Sequence, residues 1–166
     1  MAKRSAVVNT VTLTGFGDGS SLTDNLYCAA FVGGSATQRT NFLEIYVGGQ
    51  SSSSAVTIML FGRDSTAAAT AGAGTGYSDS PLDASTAALA AAVVSNNAFT
   101  TKPQRGSTHL LNLSFNAFGG IVRWVAAPGE EISMITATQP LGCCDLSAWN
   151  TGSPGIVGAH VIYETL

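Results

Sequence analysis

Apolar positions in this chain recur mostly at every second residue, the period of a strand with one buried face. Val7, Asn9, Val11 and Leu13 alternate with threonines at 10, 12 and 14, which predicts a strand over residues 6–14 behind a loose N-terminal arm at residues 1–5. Residues 26–32 form a second apolar run, stopped by Gly33 and Gly34. Over residues 41–47, Phe42, Glu44 and Tyr46 share one face, while Leu43, Ile45 and Val47 share the other. Residues 55–61 make a fourth strand, so 41–61 reads as a long-looped hairpin with Ser51, Ser52, Ser53 and Ser54 as its flexible tip. Residues 108–115 set His109, Leu111 and Leu113 against Leu110, Asn112 and Ser114. The last strand, residues 156–165, sets Val157, Ala159, Val161 and Tyr163 against Gly158, His160, Ile162 and Glu164.

The stretch from Gly119 to Thr136 organises the rest. Residues 121–125 are β-branched and aromatic, and residues 132–135 resume the pattern after Ala127-Pro128-Gly129-Glu130. Proline fixes its own φ and glycine accepts the positive φ of a type II turn, so the expected unit is strand, tight turn, strand, folded as a hairpin. Val122 and Trp124 share the face opposite Ile121, Arg123 and Val125, which makes Trp124 the expected core anchor.

Two segments depart from alternation. Residues 64–79 hold Ala, Thr and Gly in low-complexity proportions and read as a long surface loop. Ser80-Pro81-Leu82-Asp83 reads as a helix start, with a capping hydroxyl, proline at the first helical position and an early carboxylate, so residues 84–94 are expected to be helical. Residues 139–155, with Cys143, Cys144 and Trp149, read as a loop. Seven to nine strands with one short helix predict a mainly β chain, an antiparallel β-sandwich or jelly roll. At 166 residues it makes a single domain, 1–166.

Composition adds a function class. Only 10% of the residues are charged, against about 25% in an ordinary soluble domain. A surface so thinly charged is poorly protected against association, which points to a protein that lives in an assembly. The net charge of −3 offers no basic footprint for phosphates, so no nucleic-acid partner is expected. Lys3 with Arg4, and Lys102 with Arg105, read as solvated loop charges. No apolar run reaches the roughly 20 residues of a membrane span, and the first residues lack a signal-peptide core, so the expectations are no membrane partner and synthesis in the cytoplasm. Cys28, Cys143 and Cys144 form neither a disulfide framework nor a zinc spacing.

Catalytic chemistry finds little purchase. His109 and His160 are the only imidazoles, and no nucleophile motif accompanies them. Glu130 and Glu131 adjoin but point to different sides, a poor geometry for a shared proton. Gly15, Gly17 and Gly19 spell GxGxG without the lysine of a phosphate loop, and Asp18 and Asp24 match no calcium spacing. Asn112-Leu113-Ser114 spells a glycosylation acceptor inside an expected strand. The expectation is therefore not an enzyme, with no catalytic, cofactor or metal residues assigned.

Residues 123–132 (Arg-Trp-Val-Ala-Ala-Pro-Gly-Glu-Glu-Ile) and the ending Gly158-Ala159-His160-Val161-Ile162-Tyr163-Glu164 make the chain resemble the small β-rich head decoration, or cement, proteins of tailed bacteriophages. The resemblance implies a virion location on the capsid surface, the major capsid protein as partner, and a homo-oligomer, with a trimer at local three-fold positions favoured. It implies reinforcement of the joints between capsid subunits. For such a role the N-terminal arm and the loops at 51–54 or 64–79 are the segments expected to reach neighbours. Two alternatives stay open: a jelly-roll shell-forming or spike protein of a virion, and a carbohydrate-binding sandwich in which Trp149, Tyr46 or Tyr77 stacks on a sugar.

Overall fold

The alternating segments become strands of two antiparallel sheets. The structure, a computed structural model, describes residues 2–12, 29–32, 38–63, 76–78, 80–87, 94–96, 109–134, 143–148 and 155–166. Among them are twelve strands: β1 (Lys3–Thr12), β2 (Ala29–Val32), β3 (Thr40–Gly49), β4 (Val56–Arg63), β5 (Gly76–Ser78), β6 (Ser80–Pro81), β7 (Val94–Asn96), β8 (Leu111–Asn116), β9 (Ile121–Val125), β10 (Ile132–Met134), β11 (Cys143–Ala148) and β12 (Ile156–Thr165). One sheet runs β10-β3-β12-β1-β6, with β9 also on β3, and the other runs β5-β7-β2-β11-β4-β8.

The pairs are nested. β1 lies antiparallel to β12, β2 to β11, β3 to β9 and β10, and β4 to β8. A long hairpin rolled over on itself and split between two sheets gives this order, which is the jelly-roll arrangement. The insertion between β4 and β8 supplies β5, β6 and β7, which cover the β1 and β2 edges and so leave fewer unpaired backbone groups there.

Alternate residues fill the space between the sheets. Ala6 and Val8 of β1, Ile45 and Val47 of β3, and Val157, Val161 and Tyr163 of β12 face Met59 and Phe61 of β4 and Leu113 of β8. Leu111, Phe115, Val122 and Trp124 pack on this core while partly exposed. Trp124 thus takes the expected face, at the margin of the core rather than its centre.

Several expectations are corrected. The pair 41–61 is no hairpin: β3 and β4 lie in different sheets, because β12 and β9 hold the two edges of β3 while β11 and β8 hold those of β4. Its serine loop is tied down, with Ser51 Oγ accepting from the Ile156 amide at 2.6 Å and Ser54 Oγ accepting from Asn116 Nδ2 at 2.8 Å. Phe42 lies on the inner face with Ile45 and Val47, because β3 carries an extra residue, Leu43, opposite the Ile162–Tyr163 step of β12, a bulge that breaks the alternation within β3. Residues 3–5 are strand rather than loose arm, and Arg4 is only 2% exposed. Residues 143–148, expected within a loop, form β11 at the middle of the second sheet.

The expected turn at 127–130 forms, yet its arms make no hairpin. Gly129 has φ +86°, and the Glu130 amide donates to the Ala127 carbonyl at 2.9 Å. β9 and β10 lie end to end along the same edge of β3, where the pair Glu44–Val125 is followed by Phe42–Ile132. The turn is an excursion from one interrupted strand. The expected helix is also replaced. Ser80 and Pro81 pair with Ser5 and Arg4 as an edge strand, where proline needs no donor. Asp83 Oδ1 then accepts from the Ser85 amide at 2.9 Å and from Ser85 Oγ at 2.8 Å, which satisfies the carboxylate in a local turn. No helix occurs among the described residues; residues 88–93 and most of the 64–79 loop lie outside them.

Candidate interaction surface

Three adjacent strands put one row of side chains on the outer face of the first sheet. Tyr46 of β3 is paired with Arg123 of β9 on one side and His160 of β12 on the other. The Tyr46 and His160 rings stack with centroids 4.2 Å apart and planes 20° from parallel, and the Arg123 guanidinium carbon lies 5.1 Å from the Tyr46 centroid. Both flanks of the tyrosine ring are engaged. Glu44, two residues along β3, accepts from Tyr46 Oη at 2.7 Å and from Arg123 Nε and Nη2 at 3.0 and 2.7 Å.

The electrostatics follow from these contacts. The hydrogen bonds from Tyr46 and Arg123 lower the Glu44 carboxyl below its ordinary value, and the Glu44 bond raises the Tyr46 phenol. Partial burial lowers the His160 imidazole, against an upward pull from the Glu44 charge. The row is an electrostatically satisfied brace across three strands.

One step along the same strands, the side chains stop. Gly48 is paired with Gly158, and between them, Ile121, Asn9 and the Tyr46–His160 stack lies an open pit of about 260 Å³. The two glycines differ in what they permit. A Cβ on Gly158 would press on the Gln50 amide at 2.7 Å, whereas among the described residues one on Gly48 would meet only the Gly120 carbonyl oxygen at 3.7 Å, an ordinary contact. The packing of the described residues therefore does not demand glycine at position 48.

The pit opens near an end of the sandwich knitted by turns. The Gly49 amide donates to the Gly120 carbonyl at 2.8 Å, Ser51 to Ala117 at 3.0 Å, Gln50 to Ile156 at 2.8 Å and Ala117 to Ala55 at 2.9 Å. Four exposed apolar side chains lie near this end: Ile121, 72% exposed, and Ile156, 36%, on the outer face of the first sheet, Phe118, 62%, in the turn between β8 and β9, and Val56, 75%, on the outer face of the second sheet. Large apolar groups grouped on a surface mark contact sites far more than isolated ones do.

The residues singled out from the sequence scatter over this frame. His160 joins the brace, while His109 precedes β8 in the other sheet. Glu131 Oε1 accepts from the Gly129 amide at 3.0 Å within the turn. Tyr46, a candidate sugar platform, has its ring flanked by His160 and Arg123. Asn112 stands exposed on β8. Gly15, Asp18, Asp24, Cys28, Lys102, Arg105 and Trp149 lie outside the described residues, as do the side chains of Tyr77, Cys143 and Cys144. Among the described residues no group of three His, Cys, Asp or Glu side chains is placed to hold a metal ion. Gly48 and Phe118 were not singled out; the signal was a glycine inside an alternating strand and a phenylalanine in a glycine-rich turn. No protein family, curated protein or solved structure matches this chain.

Proposed function

We propose that this chain is a structural protein of a virion, which binds outside a phage capsid as a homo-oligomer and reinforces contacts between major capsid subunits. One observation carries the reading: Val56, Phe118, Ile121 and Ile156 stand exposed at one end of a jelly roll whose chain has only 10% charged residues. Such a surface gains by being covered, and repeated weak contacts around a lattice add up through multivalency. A closed oligomer would bury apolar area that one sandwich leaves in water.

A second reading has its own support. Nested antiparallel pairing is an arrangement used by viral shell subunits, and it favours a chain that builds the shell itself. One experiment separates the two. Purified protein is co-sedimented with undecorated phage heads over a concentration range. Saturable binding at a fixed ratio to capsid subunits, with a rise in the heads' thermal stability, supports reinforcement. Closed particles formed by the protein alone support shell building. A small soluble species that neither binds nor assembles rejects both.

A further inference from the structure

We infer that the pit above Gly48 and Gly158, on the outer face of the first sheet, is a binding site for one neutral sugar ring. The inference goes beyond the capsid reading and stands or falls without it.

The first ground is size. The pit measures about 260 Å³. A cavity of about 150 Å³ already holds a benzene ring, and sites for drug-sized ligands begin near about 300 Å³, so the pit has room for one six-membered ring with its substituents and for little more. Gly48 and Gly158, paired across β3 and β12, give it a floor of backbone on which a ring can lie flat.

The second ground is the mixture of walls. Ile121 of β9 lines one side, while Asn9 of β1 and Gln50 after β3 bring carboxamides to the others. A sugar is amphipathic in the same way, with C–H groups on its ring faces and hydroxyls around its edge. Each carboxamide both donates and accepts, as each hydroxyl does. A purely apolar ring would take water from those amides and return no hydrogen bond, which is unfavourable. Tyr46 contributes through its edge, because His160 and Arg123 occupy its two faces across the strands. An aromatic edge carries partial positive charge and suits a hydroxyl oxygen.

The third ground is charge. The described lining residues include no Asp, Glu, Lys or Arg, and the nearby Arg123 and Glu44 neutralise each other at 2.7 Å. Glu44 also lies on the far side of Tyr46 from Gly48 along β3. A charged ligand would therefore meet no counter-charge. The rim is already fixed, with the Gly49 amide on the Gly120 carbonyl and the Gln50 amide on the Ile156 carbonyl, each at 2.8 Å. Binding then orders little of the chain.

The test is a titration of the ¹⁵N-labelled full chain, followed by amide chemical shifts, with the methyl glycosides of glucose, galactose, mannose and N-acetylglucosamine. At least one should give saturable shifts at the Gly48, Gly49, Gly158 and His160 amides, with a dissociation constant on the order of 1 mM for so small a ligand. Glucuronate, the same ring with a carboxylate, should bind roughly tenfold more weakly or worse. Gly48→Val fills the floor and should abolish the shifts. Ile121→Ser alters an exposed wall without touching the core and should weaken binding several-fold; it decides alone should Gly48→Val misfold. Three results overturn the inference: no saturable shift with any of these glycosides, binding that both variants keep unchanged, or cyclohexanol or glucuronate binding as well as the best glycoside.

Discussion

Phe42 and Phe61 meet edge to face across the sandwich, with ring centroids 5.5 Å apart and planes at 89°. One comes from β3 and the other from β4, and both are fully buried, so this pair joins the two sheets directly. Phe42 reaches it only because the bulge at Leu43 in its own strand turns its side chain inward. Replacing either ring with alanine should destabilise the fold by about 3–5 kcal/mol, the usual cost of emptying a buried aromatic site. A double-mutant cycle in denaturant should show about 0.5–1.5 kcal/mol of coupling. Additive losses would mean that the two rings sit together without supporting each other.

Gly129 isolates conformational strain from packing. Its φ is +86°, and a Cβ built there meets nothing within 4 Å. Gly129→Ala should therefore cost about 1–2 kcal/mol through the left-handed backbone alone. Gly129→Asn should cost less, because asparagine tolerates that region. Chemical denaturation of both variants checks the order; an alanine variant as stable as wild type would show that the turn relaxes out of its type II form at little cost.

The contrast between Phe42 and Gly129 shows what the sequence could reveal. Gly129 was legible because proline and glycine side by side determine a turn locally. The inner face of β12 was equally plain, since Val157, Ala159, Val161 and Tyr163 keep one period throughout. Phe42 was misplaced because a bulge is a property of two strands, and alternation within one strand cannot register it. The same limit produced the false hairpins, since a strand pattern states which face is buried and leaves the partner open. The expected helix failed at Asp83, whose carboxylate bonds to Ser85 locally. In the candidate surface, Gly48 lies just past the expected strand 41–47, and only its pairing with Gly158, a property of two strands, puts both glycines on one floor.

The Tyr46 brace should make the fold sensitive to mild acid. Burial holds His160 below its ordinary value of 6.5, so the folded state binds a proton less readily than the unfolded one. Stability from this group is thus present above pH 6.5 and is lost as the pH falls through the lower folded value. Glu44, held below its ordinary 4.5, has the same sign and acts further down the scale. His160→Phe keeps a ring against Tyr46 and removes the titration. Its melting temperature should fall less than wild type's between pH 7.5 and 5.5, and an equal fall would place the acid sensitivity elsewhere.

β9 and β10 behave as one strand with an insert, and the insert should be removable. Ala126 already donates to the Leu43 carbonyl at 2.8 Å, and Ile132 is paired with Phe42, so Ala126 and Ile132 occupy successive positions along β3. Deleting Ala127, Pro128, Gly129, Glu130 and Glu131 would join them in register. The inward pattern survives too. Trp124 and Ile132 would have two residues between them, as Ile45 and Phe42 do on the paired strand. Shortening the excursion also reduces the entropy of closing it, a gain of well under about 1 kcal/mol. The deletion variant should therefore fold with a melting temperature within a few degrees of wild type, measured by circular dichroism. Loss of cooperative melting would show that the turn holds the edge of β3 in place; retained folding would free residues 127–131 for a role in contacts outside the chain.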